Sequence, residues 1–501
     1  MSSHSSAHHL LLNVTAILAL AAAGCVKDNT SSVTATPRDA AFVGYSDPAT
    51  KQTTCGNCHI DRQRDWQATK HASAWTDLQA SGHATASCNV CHTTNGASNL
   101  GVDTAGYFAV SGAAKQYYQD VQCESCHGPG AAHISAPDET QPLASIHADT
   151  ASANGCGTCH TGTHEPFVDQ WRQSLHGSVE PAANGNAACA GCHSGQGALA
   201  RFDTKVNYIE LGSTTWEPIV CSVCHDPHGS SNPHQLRYPI STPDLTTNLC
   251  MQCHYRRANP DPTSSRGAHS PQGPMLLGEA GWIPPDFQYA SAQQASTHGT
   301  EANPNLCVTC HMEFYDVTDK ATGSFVLHSV GHLFRAIPCT DSTGAPIFND
   351  TCPDTQRRFN ACATGGCHAT GAQALADRQV LIGRLTNEIN VLWIDANHNG
   401  VLDSFPVDSG LLAIVRQKTP GDFSTTGAGA NTITIGEGAW FNCDLINRGD
   451  GSFGVHNPIY AEALLLGSTA AVRAQYTYLP PAPPAQAAVE ADRARAVGLR
   501  R

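Results

Sequence analysis

Cysteine pairs followed at once by histidine recur along this chain. Eight copies of Cys-x-x-Cys-His occur: Cys55, Cys58 and His59; Cys88, Cys91 and His92; Cys123, Cys126 and His127; Cys156, Cys159 and His160; Cys189, Cys192 and His193; Cys221, Cys224 and His225; Cys250, Cys253 and His254; Cys307, Cys310 and His311. The pattern suits one chemistry, covalent attachment of c-type haem. Two thiols add to the two vinyl groups of a porphyrin, and the histidine that follows lies under the ring as the proximal iron ligand. A single motif would equally fit a redox pair or half a zinc site, but zinc ribbons do not demand histidine after every second cysteine. Cys362, Cys367 and His368 form a ninth site with four spacer residues, and Gly365 and Gly366 let the longer loop bulge. A disulfide between Cys362 and Cys367 is the competing reading. Nine sites consume eighteen of the 22 cysteines. Cys25 is the lipidation candidate, which leaves Cys339, Cys352 and Cys443. Cys339 with Cys352 suits a loop clamp in an exported chain, and Cys443 is left as a free thiol or as a partner of one of these.

The iron atoms need sixth ligands. Methionine contributes little, because Met251 lies inside a motif, Met312 follows a proximal histidine, and only Met275 is free. Histidine is abundant, so bis-histidine ligation is expected, which gives low-potential haem compared with His/Met. The distal candidates are His71, His133, His164, His176, His228, His269, His298, His332 and His456, with His83, His147, His234, His328 and His398 in reserve. A carrier would fill every position, whereas an enzyme would leave one iron open.

The motifs sit in a repeat. Cys55 to Cys156 and Cys88 to Cys189 are both 101 residues, and Cys123 to Cys221 is 98. Trp66 and His71 recur as Trp171 and His176, and Cys-His-Gly-Pro at 126–129 recurs as Cys-His-Asp-Pro at 224–227. A three-haem unit is therefore duplicated, with a divergent third copy from Cys250. Repetition at a fixed period predicts a quasi-linear array of redox centres.

Trp-x-x-Ser/Thr-x-His, Cys-x-x-Cys-His-Gly-Pro-Gly, Cys-x-x-Cys-His-Asp-Pro-His-Gly and Cys-x-x-Cys-His-Met resemble the multihaem cytochromes c of the hydroxylamine oxidoreductase, pentahaem nitrite reductase and tetrahaem nitrifier-cytochrome superfamily. The resemblance spans about residues 50 to 465 and implies stacked and perpendicular haem pairs, mostly bis-histidine. No Cys-x-x-Cys-Lys motif is present. The resemblance therefore carries over fold and carrier role, and not catalysis.

The elements that position these residues follow from composition. The chain has 501 residues, a net charge of −14, only 7% aromatic residues, and abundant Gly (44) and Pro (29). The acidic balance argues against a nucleic-acid partner. The expected fold class is mainly α with extensive coil, a quasi-repeated multihaem array followed by a helical C-terminal segment. Residues 1–24 read as a lipoprotein-type signal peptide, with small residues before Cys25, the lipidation candidate. Residues 25–50 read as a flexible tether, 51–373 as the haem region, 374–479 as the helical segment, and 480–501 as a disordered tail. In the helical segment Leu375, Leu381, Ile382, Leu385, Ile389, Leu392 and Trp393 recur at helical steps and are expected to pack on haem edges. Asp395, Asn397, Asn399 and Asp403, with Gly400 at the sixth position, follow a calcium loop, and Asp408 stands in for the missing twelfth-position Glu. A plain Asn-Gly turn is the competing reading. Asn457 and Pro458 open a second helix from about 459 to 475, and His456 precedes it.

The expected function is electron transfer along covalently bound haems, outside the cytoplasm, in a periplasmic or outer-membrane lipoprotein of a bacterium. Its partners are redox proteins that donate and accept electrons, and a membrane through the lipid. Two alternatives stand beside it: a reductase or oxidase of small nitrogen or sulfur compounds with one open haem, and a self-associating subunit of a conductive filament.

Overall fold

The computed structural model describes residues 39–95, 105–148, 155–180, 186–204, 207–264, 266–285, 287, 296–299, 302–319, 321–347, 351–364, 368–423 and 432–497. Residues 1–24, expected as a signal peptide, and Cys25 and Cys367 lie outside them. The architecture is mainly helical with extensive coil.

In the haem region most of the helices are single turns, and the motifs set them. The backbone N–H of His59 donates to the carbonyl of Cys55 at 3.0 Å, and His127 to Cys123, His160 to Cys156, His225 to Cys221 and His254 to Cys250 do the same at 2.9–3.1 Å. One helical turn brings residues i, i+3 and i+4 to one side, so both sulfurs and the imidazole face the same space. The repeat is visible as matching hydrogen bonds. Trp66 Nε1 donates to the Val121 carbonyl at 3.0 Å and Trp171 Nε1 to the Ile219 carbonyl at 2.8 Å. Val121 N–H donates to the His71 carbonyl, and Ile219 N–H to the His176 carbonyl, both at 3.1 Å. Each tryptophan thus pins the first helix of its unit to the third motif and sets the histidine that follows.

Residues 39–50, expected as tether, are packed. Phe42 and Tyr45 are buried, Tyr118 donates its hydroxyl to the Phe42 carbonyl at 2.8 Å, and the buried carboxylate of Glu124 accepts from Val43 and Gly44. The two aromatic side chains contribute the burial that the Thr- and Ala-rich composition concealed.

The last third builds its own core. The helix Gly371–Leu392 is capped by Thr370, the helix Ile435–Asp444 carries a capping box of Thr434 and Glu437, and the helix Pro458–Gln475 is capped by Asn457. Leu381, Leu385, Ile389, Leu392 and Trp393 pack against Leu412, Phe441, Leu464 and Val472. The expected packing on haem edges is thereby corrected: the stripe faces three later helices, whose aliphatic side chains cover it.

The tail is also corrected. Pro484–Ala496 is a helix, begun by proline in its first turn and carried by alanines with high helix propensity. Ala494 and Val497 pack on Ala463 and Leu466, and Arg493 meets Glu388 at 2.9 Å.

Cys339 and Cys352 form a disulfide across the small hairpin of Cys339–Thr340 and Pro346–Ile347, and Cys443 is a buried free thiol. Among the described residues no helix is long and apolar enough to cross a membrane.

Candidate haem sites

Two imidazoles on opposite sides of one metal, each bonded at about 2 Å and each centred about 1.2 Å beyond its bonded nitrogen, have centroids about 6.3 Å apart. Eight of the nine motif histidines face another histidine near this separation. The pairs are His59 with His133 at 6.3 Å, His127 with His228 at 6.0 Å, His160 with His71 at 6.1 Å and His193 with His269 at 5.9 Å. His225 faces His332 at 6.4 Å, His254 faces His176 at 6.2 Å, His311 faces His456 at 6.2 Å and His368 faces His298 at 6.5 Å. Interplanar angles run from 9° for His127 and His228 to 69° for His254 and His176.

On many of these rings the far nitrogen is engaged, as metal-binding histidines require. Nδ1 of His92, His225 and His311 donates to the carbonyls of Ala74, His234 and Phe334 at 3.0, 2.8 and 3.0 Å. Nδ1 of His127 donates to Leu143, and on the partner side His133, His298 and His332 donate to Thr140, Val455 and Val330. His254 meets Gln272 at 3.1 Å, His368 meets Asp377 at 3.2 Å, and His456 meets Asp450 at 2.6 Å. A proton held on Nδ1 leaves Nε2 as the free lone pair. Burial drives His71, His176, His311 and His332 down to about 4, so these rings are neutral and able to ligate at neutral pH. Burial works against charge on His456 as well, but the Asp450 carboxylate outweighs it and raises that ring.

His92 is the exception. Among the described residues no histidine ring stands opposite it. His164, expected as a distal ligand, faces His328 instead, at 5.7 Å and 56°. The cause is local. Gly162 at φ +81° turns the chain after His160, and the Thr163 carbonyl accepts the His328 backbone N–H at 3.1 Å. That bond draws His164 towards the strand pair Tyr315–Thr318 and Phe325–Ser329, which carries His328.

Sulfurs of different motifs also approach one another. Cys55 and Cys123, Cys91 and Cys159, Cys156 and Cys221, Cys192 and Cys253, and Cys250 and Cys307 lie close enough to perturb one another's ionisation. Aromatic rings fill gaps between sites. Phe167 lies 5.6 Å from His160 and 4.9 Å from His332, and Phe334 lies 4.5 Å from His176 and 5.5 Å from His332. Several buried donors lack acceptors, including Arg257 Nε and Nη1. Haem propionates would supply acceptors of this kind. Paired imidazoles, engaged Nδ1 atoms and unsatisfied guanidinium nitrogens all fit haem c.

Residues 54–128 match the family model for cytochrome c554 and c-prime, and residues 217–259 match the model for the doubled CXXCH motif. The chain is a multihaem c-type cytochrome. It is 28% identical over 159 residues to the multiheme cytochrome MtrA of Shewanella baltica, covering 28% of this chain and 44% of MtrA. It is 30% identical over 145 residues to the C-type polyheme cytochrome OmcC of Geobacter sulfurreducens, covering 25% of this chain and 18% of OmcC. The cytochrome thus spans less than half the length of these curated relatives. The crystal structure of the outer cell wall cytochrome OcwA aligns with a TM-score of 0.45 at 18% identity, over 77% of this chain and 75% of that one.

Sequence reasoning missed the groups around the ligands. Asp450, Asp377, Gln272, Phe167 and Phe334 carry no motif, and only the fold brings them to the histidines. At the calcium candidate, Asp395 accepts from the backbone of Asn399 and Gly400 at 3.1 and 2.7 Å, and Asn397 Nδ2 donates to Asp403 at 2.8 Å. Asp408, expected as the completing ligand, is buried and already accepts from Trp393 Nε1, Ala396 and Asp403. Among the described residues no cluster of three or more His, Cys, Asp or Glu is set to hold a metal ion.

Proposed function

We propose that this cytochrome transfers electrons along nine haems, in respiratory or extracellular electron transfer, as an exported protein held to a membrane by lipid on Cys25. The observation that carries the reading is the set of eight histidine pairs near 6 Å. Haem supplies a one-electron iron couple when bound, and the chain supplies attachment, ligation and burial. His71, His133, His176, His228, His269, His298, His332 and His456 would be the distal ligands.

The mutual influence of sulfurs from different motifs and the bridging rings support an order of neighbours that the linear sequence does not display. The order runs through the sites of His59, His127, His160, His225, His254, His311 and His368. The His92 site branches at His160 through Cys91 and Cys159, and the His193 site branches at His254 through Cys192 and Cys253. These branch sites are equivalent positions of the repeat. Redox proteins would act as donor and acceptor, and a mass increment on the N-terminal peptide tests the lipid.

One observation favours a second reading. Among the described residues no histidine faces His92, which is the coordination an enzyme acting on small nitrogen or sulfur compounds would use. Low-temperature electron paramagnetic resonance with a pyridine haemochrome count separates the two. The carrier reading expects nine haems and no high-spin signal that responds to nitrite or hydroxylamine. One high-spin haem in nine with such a response moves the assignment to the enzyme. A count of eight removes Cys362, Cys367 and His368 as a haem site.

A further inference from the structure

Each of the eight facing histidine pairs contains one motif histidine, and one further pair contains none. His164 and His328 stand with ring centroids 5.7 Å apart and planes at 56°. Neither follows a Cys-x-x-Cys motif, so no covalently attached porphyrin accounts for their spacing. The separation is still that of two imidazoles sharing one metal ion. With each ring centre about 3.2 Å from the ion, it corresponds to a nitrogen–metal–nitrogen angle of about 125°. That angle is bent from the straight line that two axial haem ligands make, and lies near the tetrahedral range.

The fold holds both rings in place. His328 lies on the strand Phe325–Ser329, directly opposite Asp316 on the strand Tyr315–Thr318, and its Nδ1 donates to the Asp316 carboxylate at 2.7 Å. Phe325 and Phe314 flank the same ring, with centroids at 4.7 and 5.5 Å. The His328 backbone N–H donates to the Thr163 carbonyl at 3.1 Å, which sets His164 beside the strand pair. A histidine whose Nδ1 proton is held by a carboxylate has a fixed tautomer, a fixed ring and a more basic Nε2, the arrangement found behind metal-binding histidines. A cross-strand pair alone would account for Asp316 and His328, and it leaves the approach of His164 unexplained. Glu165 brings a second carboxylate, with one oxygen 3.9 Å from His164 Nε2 and the other 3.7 Å from His160 Nδ1. Two imidazoles with a carboxylate on either side suit a cation and repel an anion. Because no cluster of three such donors stands among the described residues, water would complete the coordination.

We propose that His164 and His328 bind a divalent transition-metal ion of the zinc class, with Asp316 orienting His328 and water filling the remaining positions. Imidazole nitrogen favours Zn2+, Cu2+ or Ni2+ over Mg2+ and Ca2+, which take oxygen ligands. Two protein ligands make an open, exchangeable site, unlike the closed four-ligand sites of structural zinc. The bound ion would join the loop that follows His160 to the strand pair that follows His311, two segments far apart in sequence that otherwise meet through the single backbone hydrogen bond of His328 and Thr163 and the contact of these two rings. Its role is that of a clasp between two parts of the haem region.

The test uses the haem-loaded, full-length protein, freed of loose metal by chelator, with Zn2+ as the probe. Calorimetry gives the affinity, and anomalous scattering at the zinc edge, which iron does not share, gives the position. The expected result is a zinc peak between the rings of His164 and His328. His164→Ala and His328→Gln should each weaken the tightest zinc binding by about tenfold or more, and Asp316→Asn should weaken it by about tenfold with both ligands still present. Zinc affinity that is unchanged in both histidine variants, at full haem count, overturns the proposal, because the ion is then held elsewhere. Absence of zinc binding by the parent at millimolar Zn2+ also overturns it. So does a new high-spin haem signal in His164→Ala, since that histidine then belongs to an iron. Should a variant lose haem or fail to fold, the parent's zinc peak decides: between the two rings it supports the site, and anywhere else it overturns it.

Discussion

Asp450→Asn should raise the midpoint potential of the haem held by His311 and His456. Asp450 is fully buried and accepts from His456 Nδ1 at 2.6 Å. Its negative charge stabilises the ferric state over the ferrous state. A carboxylate bonded to the far nitrogen of an imidazole lies about 6 Å from the metal on the near nitrogen. At an effective dielectric of about 20 this separation is worth about 3 kcal/mol, or about 0.1 V for a one-electron couple. Ions in solution screen it little, because the pair is buried. The asparagine oxygen still accepts the Nδ1 proton, so ligation is retained and only charge is lost. Potentiometric titration monitored in the haem absorption bands should show about one-ninth of the amplitude moving upward. A variant with nine haems whose titration overlays the parent within about 20 mV would refute the argument that Asp450 is charged and coupled to this iron.

Two further outcomes follow from the same geometry. Burial and the neighbouring Glu462 raise Glu388 to about 8, against an unfolded value of about 4.3. The native state therefore holds a proton that the unfolded state has released across this window. Stability is fully present below about 4.3 and declines as pH rises through about 8. Glu388→Gln should flatten that decline and raise the melting temperature at pH 8, and a parent whose stability is level between pH 5 and 8 contradicts it. At the loop of Asp395, Asn397, Asn399 and Asp403, calcium should raise the melting temperature. Equal melting with calcium and with chelator removes the site and leaves a turn already closed by its own hydrogen bonds.

Covalent attachment was legible because it is local. Cys55, Cys58 and His59 meet on one turn whatever the rest of the chain does, so spacing alone identifies the chemistry and the proximal ligand. The repeat was legible for the same reason, since Trp66 and Trp171 recur at matching distances from their motifs. The helices near 371–392 and 458–475 were readable from periodicity and from Asn457 and Pro458. Composition misled at both ends. Phe42 and Tyr45 anchor a segment that reads as tether, and a proline-capped alanine run forms the helix Pro484–Ala496 in a segment that reads as tail.

Pairing of the histidine rings was decided by the tertiary structure. His59 pairs with His133 in its own unit, His71 and His176 each reach into the next unit, and His456 comes from the C-terminal helices to face His311. His164 had as good a sequence claim as these, yet one backbone hydrogen bond from His328 to Thr163 turns it from the array. Sequence determined where the Cys-x-x-Cys-His motifs stand and which histidine follows each, because that spacing is a property of one helical turn. The fold decided which histidine rings face one another and which carry a carboxylate such as Asp450 on the far nitrogen. Those properties depend on groups brought together through space, and neighbouring positions in the chain do not encode them.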